Sequence, residues 1–199
     1  MPAPAAHALT RSAAASRIAR YSMRAVCGCS LLLLLQVPPA PAATLEGRVV
    51  HVADGDTLTV LDDEHRQHKI RLSGIDAPER GQAFGGRATE QLVHLAKNRR
   101  VTVEWHRTDR YRRLIGVVRV AAPDCAICKP DIDVGLALVS GGYAWHYRAY
   151  EREQTAQDRQ SYRLAESAAR AGSTGLWMDE VPMPPWAWRR SRKQERLIK

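Results

Sequence analysis

Three short runs of β-branched and apolar residues, separated by two turn signals, constrain this chain more than any other feature. Thr44 to Val52 alternates loosely, Asp54-Gly55 interrupts it, and Asp56 to Leu61 resumes as an extended run. The polar turn Asp62-Asp63-Glu64-His65 follows, and Gln67 to Ser73 forms a third run, so Thr44–Ser73 reads as a three-stranded meander. Gly74 to Gly85 carries Pro78 and three glycines and reads as a loop. From Arg87 to Lys97 the apolar residues Ala88, Leu92, Leu95 and Ala96 recur at helical spacing. Strands are expected at Val101–Trp105 and at Leu114–Ala121, on either side of the basic stretch Arg107–Arg113. Ile132, Leu136 and Val139 mark a short helix stopped by Gly141-Gly142, and a last helix is expected over Glu151–Ala171 with Gly172 as its stop. Five strands with one helix between the third and fourth fit an α+β fold. Its expected form is a five-stranded Greek-key barrel of the OB type with about three helices.

The first 43 residues read as a targeting segment. They contain Arg11, Arg17, Arg20 and Arg24 and no acid, then an apolar run from Ala25 to Leu35. That run is shorter than the roughly 20 residues a bilayer span needs. Ala40-Pro41-Ala42 supplies small residues suited to signal cleavage after Ala42 or Ala43, and Met23 offers a second start. The expected division is a signal peptide over 1–43, a barrel domain over 44–178 and a basic tail containing Pro and Trp over 179–199. Export to the periplasm or beyond is expected, with membrane contact only through an uncleaved leader. Removing the leader lowers the net charge from +9 to +5, which still favours an anionic partner. Cys125 and Cys128 are too few for a structural zinc site, and in an oxidising compartment they read as a local disulfide.

Chemistry concentrates in three clusters. Asp54-Gly55-Asp56-Thr57 places carboxylates around a tight turn. In Arg71-Leu72-Ser73-Gly74-Ile75-Asp76-Ala77-Pro78-Glu79 a strand delivers an arginine and breaks into an acidic loop. Thr108-Asp109-Arg110-Tyr111-Arg112-Arg113 leads into the fifth strand. Each alone reads as a turn, a loop or a solvated face. Together they supply what phosphodiester hydrolysis requires: ligands for a hard cation, a base for water, and fixed positive charge for the transition state. Asp56 and Asp76 suit calcium, Glu79 can reach an attacking water, and Arg71 and Arg113 match phosphate oxygens with planar forks.

Those three motifs, in that order and spacing, resemble the staphylococcal nuclease family from about Glu46 to Trp177. The later Gly142-Tyr143-Ala144-Trp145 and Gly175-Leu176-Trp177 fit the same likeness. The resemblance implies an OB barrel and a Ca2+-dependent endonuclease that cleaves DNA, RNA or both and leaves 3′-phosphorylated products. It implies Asp56 and Asp76 as metal ligands with the Ala77 carbonyl, and Glu79 as general base. Arg71 and Arg113 become the transition-state arginines, and Arg110, Tyr111 and Tyr150 the contacts to a nucleotide's phosphate. Nucleic acid is then the partner, as substrate; no stable protein partner is implied, and a monomer is expected.

Two departures stand out. Arg112 occupies the position where the family usually has glycine, so a positive φ there would strain it. Tyr147 is a weaker match than Tyr150 to the family's paired tyrosines. In the tail, Trp186 and Trp188 either stack on bases beside Arg189 and Arg190 or dock the tail onto the barrel. The preceding prolines and the single phenylalanine of the whole chain favour docking. The competing class is a non-catalytic nucleic-acid-binding module on the same barrel. Family members of that kind lack active-site acids and arginines, whereas Asp56, Asp76, Glu79, Arg71 and Arg113 are all present here. A surface-anchored adhesion protein would explain the leader and the charge but not the ordered motifs.

Overall fold

The computed structural model describes residues 43–122 and 129–198. The leader up to residue 42 and the Cys125/Cys128 pair lie outside the described residues. β1 (Ala43–Val52), β2 (Thr57–Leu61) and β3 (Gln67–Leu72) form the expected antiparallel meander. β4 (Ile75–Asp76) is a two-residue strand inside the segment expected to be wholly loop. After α1 (Gly85–Ala96) come β5 (Arg100–Thr108) and β6 (Leu114–Val120), then the two-residue β7 (Ile132–Asp133). The order β3-β2-β1-β5-β6-β7 closes on itself because β3 also pairs in parallel with β6, through Ile70–Leu72 and Leu114–Gly116. The result is a closed five-stranded mixed barrel with β7 as a short addition. Register shifts at Val49/His51 and Trp105/Arg107 bend β1 and β5 as closure of a small barrel requires.

Alternation along the strands places Val49, Leu58, Val60, Ile70, Leu72, Val101, Val103, Val118 and Val120 inside. α1 presents Ala88, Leu92 and Ala96, spaced at i, i+4 and i+8, to that interior. α2 (Val134–Ser140) adds Val134, Leu138 and Val139, and α3 (Ala156–Ala171) adds Tyr162. A second apolar cluster contains Trp145, Ala169, Leu176 and Trp177, with Phe84 and Trp186 packed against it. Trp145 belongs to β8 (Trp145–His146), which pairs with β4.

Two expectations about helices are corrected. The segment 151–171 is not one helix: a 3₁₀ turn over Arg148–Glu153 ends at Gln154, and α3 starts afresh. Gln154 turns inward, where its Oε1 lies 2.9 Å from buried His146 Nε2. Thr155 then caps α3 by accepting from the Asp158 N–H at 3.1 Å. No helix was expected in the tail, yet one forms there. Pro185, as the first helical residue, opens a fourth helix, α4 (Pro185–Ile198).

A buried polar pair joins the barrel to α3. The Tyr162 hydroxyl lies 2.9 Å from both carboxylate oxygens of Asp133, whose Oδ1 also caps α2 by accepting from the Leu136 N–H. Burial pushes the Asp133 pKa up, and it pushes Tyr162 up further still. An aspartate whose folded pKa lies above its unfolded one loses stability as pH rises through that window. Tyr162→Phe removes a donor to the charged form and raises the folded pKa again. The substitution is therefore expected to cost about 1.5–3 kcal/mol at neutral pH and distinctly less near the ordinary aspartate pKa of 3.8. Urea denaturation at the two pH values checks this; an equal cost at both contradicts it.

Candidate active site

The acidic face forms where β2, β3 and β4 meet the loop before α1. The turn before β2 is tight, since the Asp54 carboxylate accepts from the Asp56 N–H at 3.1 Å and the Ala53 N–H donates to the Thr57 carbonyl at 2.8 Å. Gly55 lets this turn approach the scaffold: a Cβ there would stand 2.8 Å from the methyls of both Ala77 and Ala88. Downstream, the Gln82 N–H donates to the Glu79 carbonyl at 2.8 Å, and the Glu79 N–H donates to Gln82 Oε1 at 3.1 Å. Any side chain at Gly85 would collide with the Glu79 carbonyl, so that glycine fixes the loop bearing Glu79 against the start of α1.

Arg71 holds the acids together. Its Nη2 lies 3.2 Å from Asp56 Oδ2 and 3.0 Å from Asp76 Oδ1, while Nη1 donates to the Ile75 carbonyl at 3.3 Å. Asp56 also accepts from the Thr57 hydroxyl at 2.9 Å and, at a long 3.4 Å, from the Ala77 N–H. Burial opposes the Arg71 charge, but the two carboxylates outweigh it and raise its pKa. Asp76 has no exposure to solvent at all. Burial pushes its pKa up against the opposing pull of two guanidinium groups.

The second of those groups is Arg189 of α4, more than a hundred residues away in sequence. Its Nη1 lies 3.1 Å from Asp76 Oδ1 and 2.7 Å from Glu79 Oε1, and its Nη2 lies 2.7 Å from Asp76 Oδ2. These contacts raise the Arg189 pKa despite partial burial. The aromatic cluster delivers it. Trp145, whose backbone pairs with Asp76 in the β4–β8 ladder, packs edge-on against Trp186 at 5.4 Å between ring centroids. Trp186 also lies 5.4 Å from Tyr147, and Gln82 donates to the Met183 carbonyl at 2.5 Å. Trp186 thus docks the tail, as its prolines suggested, while Trp188 lies further along α4.

The turn between β5 and β6 adds the basic residues. Asp109 accepts from the N–H groups of Tyr111 and Arg113, and from Arg113 Nε at 2.9 Å. Burial works against the charge on Asp109, but these donors win and its pKa falls. Arg113 is thereby held with Nη1 3.5 Å from the Thr57 hydroxyl. Tyr111 is exposed between Arg110 and Arg113, whose guanidinium carbons lie 4.9 and 5.5 Å from its ring.

Residues of both groups line a cleft of about 620 Å³. Of the expected residues, Asp56, Arg71, Ala77, Glu79, Arg110, Tyr111, Arg113 and Tyr150 line it. Asp76 does not; it lies beneath, covered by Arg71 and Arg189. Tyr147 lines the cleft as well, 5.2 Å from Tyr150 between ring centroids. Sequence reasoning missed Arg107 and Glu153, which pair across one end of the cleft at 2.8 Å. It placed Arg189 in the tail without its acidic partners, because a contact spanning more than a hundred residues leaves no local spacing signal. Among the described residues no group of three or more His, Cys, Asp and Glu is arranged to hold a metal ion. The available donor set is two carboxylates and backbone carbonyls.

Residues 69–179 match the family model described as staphylococcal nuclease homologue. The chain is 38% identical to Protein ParB of Escherichia coli over 89% of its own length and 97% of that protein. It is 37% identical to a micrococcal nuclease of Shigella flexneri, with 86% and 94% covered, and 36% identical to an uncharacterized endonuclease of Escherichia coli O157:H7, with 80% and 94% covered.

Arg112 has φ of 62°, so the residue in the glycine position does adopt the left-handed conformation. It does not line the cleft, and Arg113 does. Arg112→Gly removes that strain but also loosens the unfolded chain, leaving an expected net gain of up to about 1 kcal/mol. Chemical denaturation measures it; a loss of more than 1 kcal/mol would mean that the turn needs the arginine side chain.

Proposed function

Because the chain belongs to the staphylococcal nuclease family, we propose that it is an exported, Ca2+-dependent endonuclease that leaves 3′-phosphorylated ends on DNA or RNA. One observation carries the reading. Asp56 Oδ2 and Asp76 Oδ1 converge on a single cationic nitrogen of Arg71, at 3.2 and 3.0 Å, beside a cleft that a second arginine, Arg113, also lines. Two carboxylate oxygens that share one positive atom are arranged to share a hard cation, and the absence of histidine or thiol donors from the cleft lining suits calcium. Asp56, Asp76 and the Ala77 carbonyl would hold it. When bound, it would polarise the phosphoryl oxygen and offset the charge that accumulates there.

The chain's own residues supply the remainder. Glu79 stands at the cleft edge with its side chain about two-fifths exposed, and its carboxylate can take the proton of the attacking water. Arg71 and Arg113, both in the cleft lining, would donate to the phosphoryl oxygens, whose negative charge grows as the P–O5′ bond breaks. The water oxygen bonds to phosphorus as O5′ departs; O5′ takes a proton from solvent and leaves as a 5′-hydroxyl, and the phosphate stays on the 3′ side. Tyr111, Arg110 and Tyr150 would bear on the neighbouring phosphate and sugar. Arg189 pairs with both Asp76 and Glu79, so its guanidinium would compete with a cation for the Asp76 oxygens.

Incubating the purified protein with plasmid and with RNA, with calcium or with chelator, tests the proposal directly. Cleavage should require calcium and yield ends that block ligation until the 3′-phosphate is removed. Full activity in chelator, or 5′-phosphate ends, would overturn the metal or the polarity. Glu79→Gln is expected to lower kcat by about 10²- to 10⁴-fold with KM little changed. Near-normal kcat would take Glu79 out of the reaction. Truncating Arg71 is a poorer probe, since removing one member of a buried ion cluster destabilises by about 3–5 kcal/mol.

A further inference from the structure

α4 does more than deliver Arg189. Arg189, Arg192, Lys193 and Arg196 follow one another at i, i+3, i+4 and i+7, and so stand on one face of the helix. That face borders a groove of about 480 Å³ against the loop at Gly81, with Trp188 in its wall. Arg189 and Glu79 line both this groove and the cleft, so the two adjoin at that ion pair. Arg189 spends its charge on Asp76 and Glu79. Arg192 has only an exposed partner, Glu195 at 2.9 Å, and an ion pair of that kind contributes little. Among the described residues no carboxylate lies within salt-bridge distance of Lys193 or Arg196. A row of exposed, largely uncompensated cations beginning at the reacting groups has an obvious counterpart in a polyanion that enters the cleft.

We propose that this face of α4 is a track for the substrate strand itself, with Arg192, Lys193 and Arg196 holding phosphates that flank the scissile one. The inference rests on the nuclease reading and deepens it: the preferred substrate is a strand several nucleotides longer than the cleft can hold. Dimensions agree. From Arg189 to Arg196 the helix rises about 10 Å, which matches about three phosphates of a stacked strand at roughly 3.4 Å each. Trp188 gives a passing base a ring to stack on.

The test uses the whole protein and the triple variant Arg192→Gln, Lys193→Gln, Arg196→Gln. Arg190→Gln, on the same helix but off this face, serves as the charge control. Binding of a fluorescein-labelled 16-nucleotide oligothymidylate is followed by anisotropy in chelator across a salt series, so the result does not depend on turnover. The triple variant should bind at least 10-fold more weakly at low salt. The slope of log affinity against log salt should fall by about 2, at roughly 0.7 per phosphate contact on a single strand. Arg190→Gln should leave that slope nearly unchanged. In calcium, the triple variant should raise KM for the 16-mer but not for a thymidine dinucleotide, with kcat unaltered. Unchanged affinity and slope would overturn the track. So would weakened binding to phosphatidylglycerol vesicles with oligonucleotide binding intact, because the face would then belong to a membrane. If the wild type binds the 16-mer through this face yet cleaves nothing, the track stands and the nuclease reading fails.

Discussion

A carboxylate cut off from water stays charged only if the protein supplies its counter-charge, and Asp76 shows how much of this molecule answers that requirement. It sits in a two-residue strand with no solvent exposure, and both its oxygens are engaged by guanidinium groups. One comes from the adjacent barrel strand, the other from a helix at the far end of the chain. Desolvation alone would favour the neutral acid. Arg71 and Arg189 oppose that push, and Asp56 and Glu79 are drawn into the same cluster. Arginine suits the task because its planar fork can serve two carboxylates without losing its proton.

That requirement explains why features remote from the cleft matter to it. Trp145 supplies the backbone that pairs with Asp76 and the ring that packs on Trp186, so the same residue positions the acid and the helix carrying its partner. Arg170 stacks over Trp145 and Trp177 at 4.9 and 3.9 Å and closes the aromatic cluster from outside. In the β5–β6 turn Asp109 does the equivalent work for Arg113, accepting from its backbone and its side chain. Each reactive group is thus oriented by a neighbour whose own position is set by the barrel or by the aromatic cluster.

The barrel was legible in the sequence because its signals are local. Period-2 runs, the Asp54-Gly55 and Asp62–His65 turns and the Ala88/Leu92/Ala96 face each declare themselves within a few residues, and the strands fall within a few residues of the expected bounds. Arg112 could be marked as strained for the same reason. What escaped was set by tertiary contact. The expected 151–171 helix breaks at Gln154, whose side chain turns in to buried His146 while the Thr155 hydroxyl caps a new start for α3. Ile75 and Asp76 become a strand only because β8 arrives beside them. Arg189 looked like one of several tail cations because nothing near it in sequence reveals the acids it meets.

Calorimetric titration of calcium into the metal-free protein probes the proposed shared cation site of Asp56 and Asp76. The wild type should show a single site that is lost in Asp56→Asn and in Asp76→Asn while both variants remain folded by circular dichroism. Calcium binding of undiminished affinity in either folded variant would contradict it.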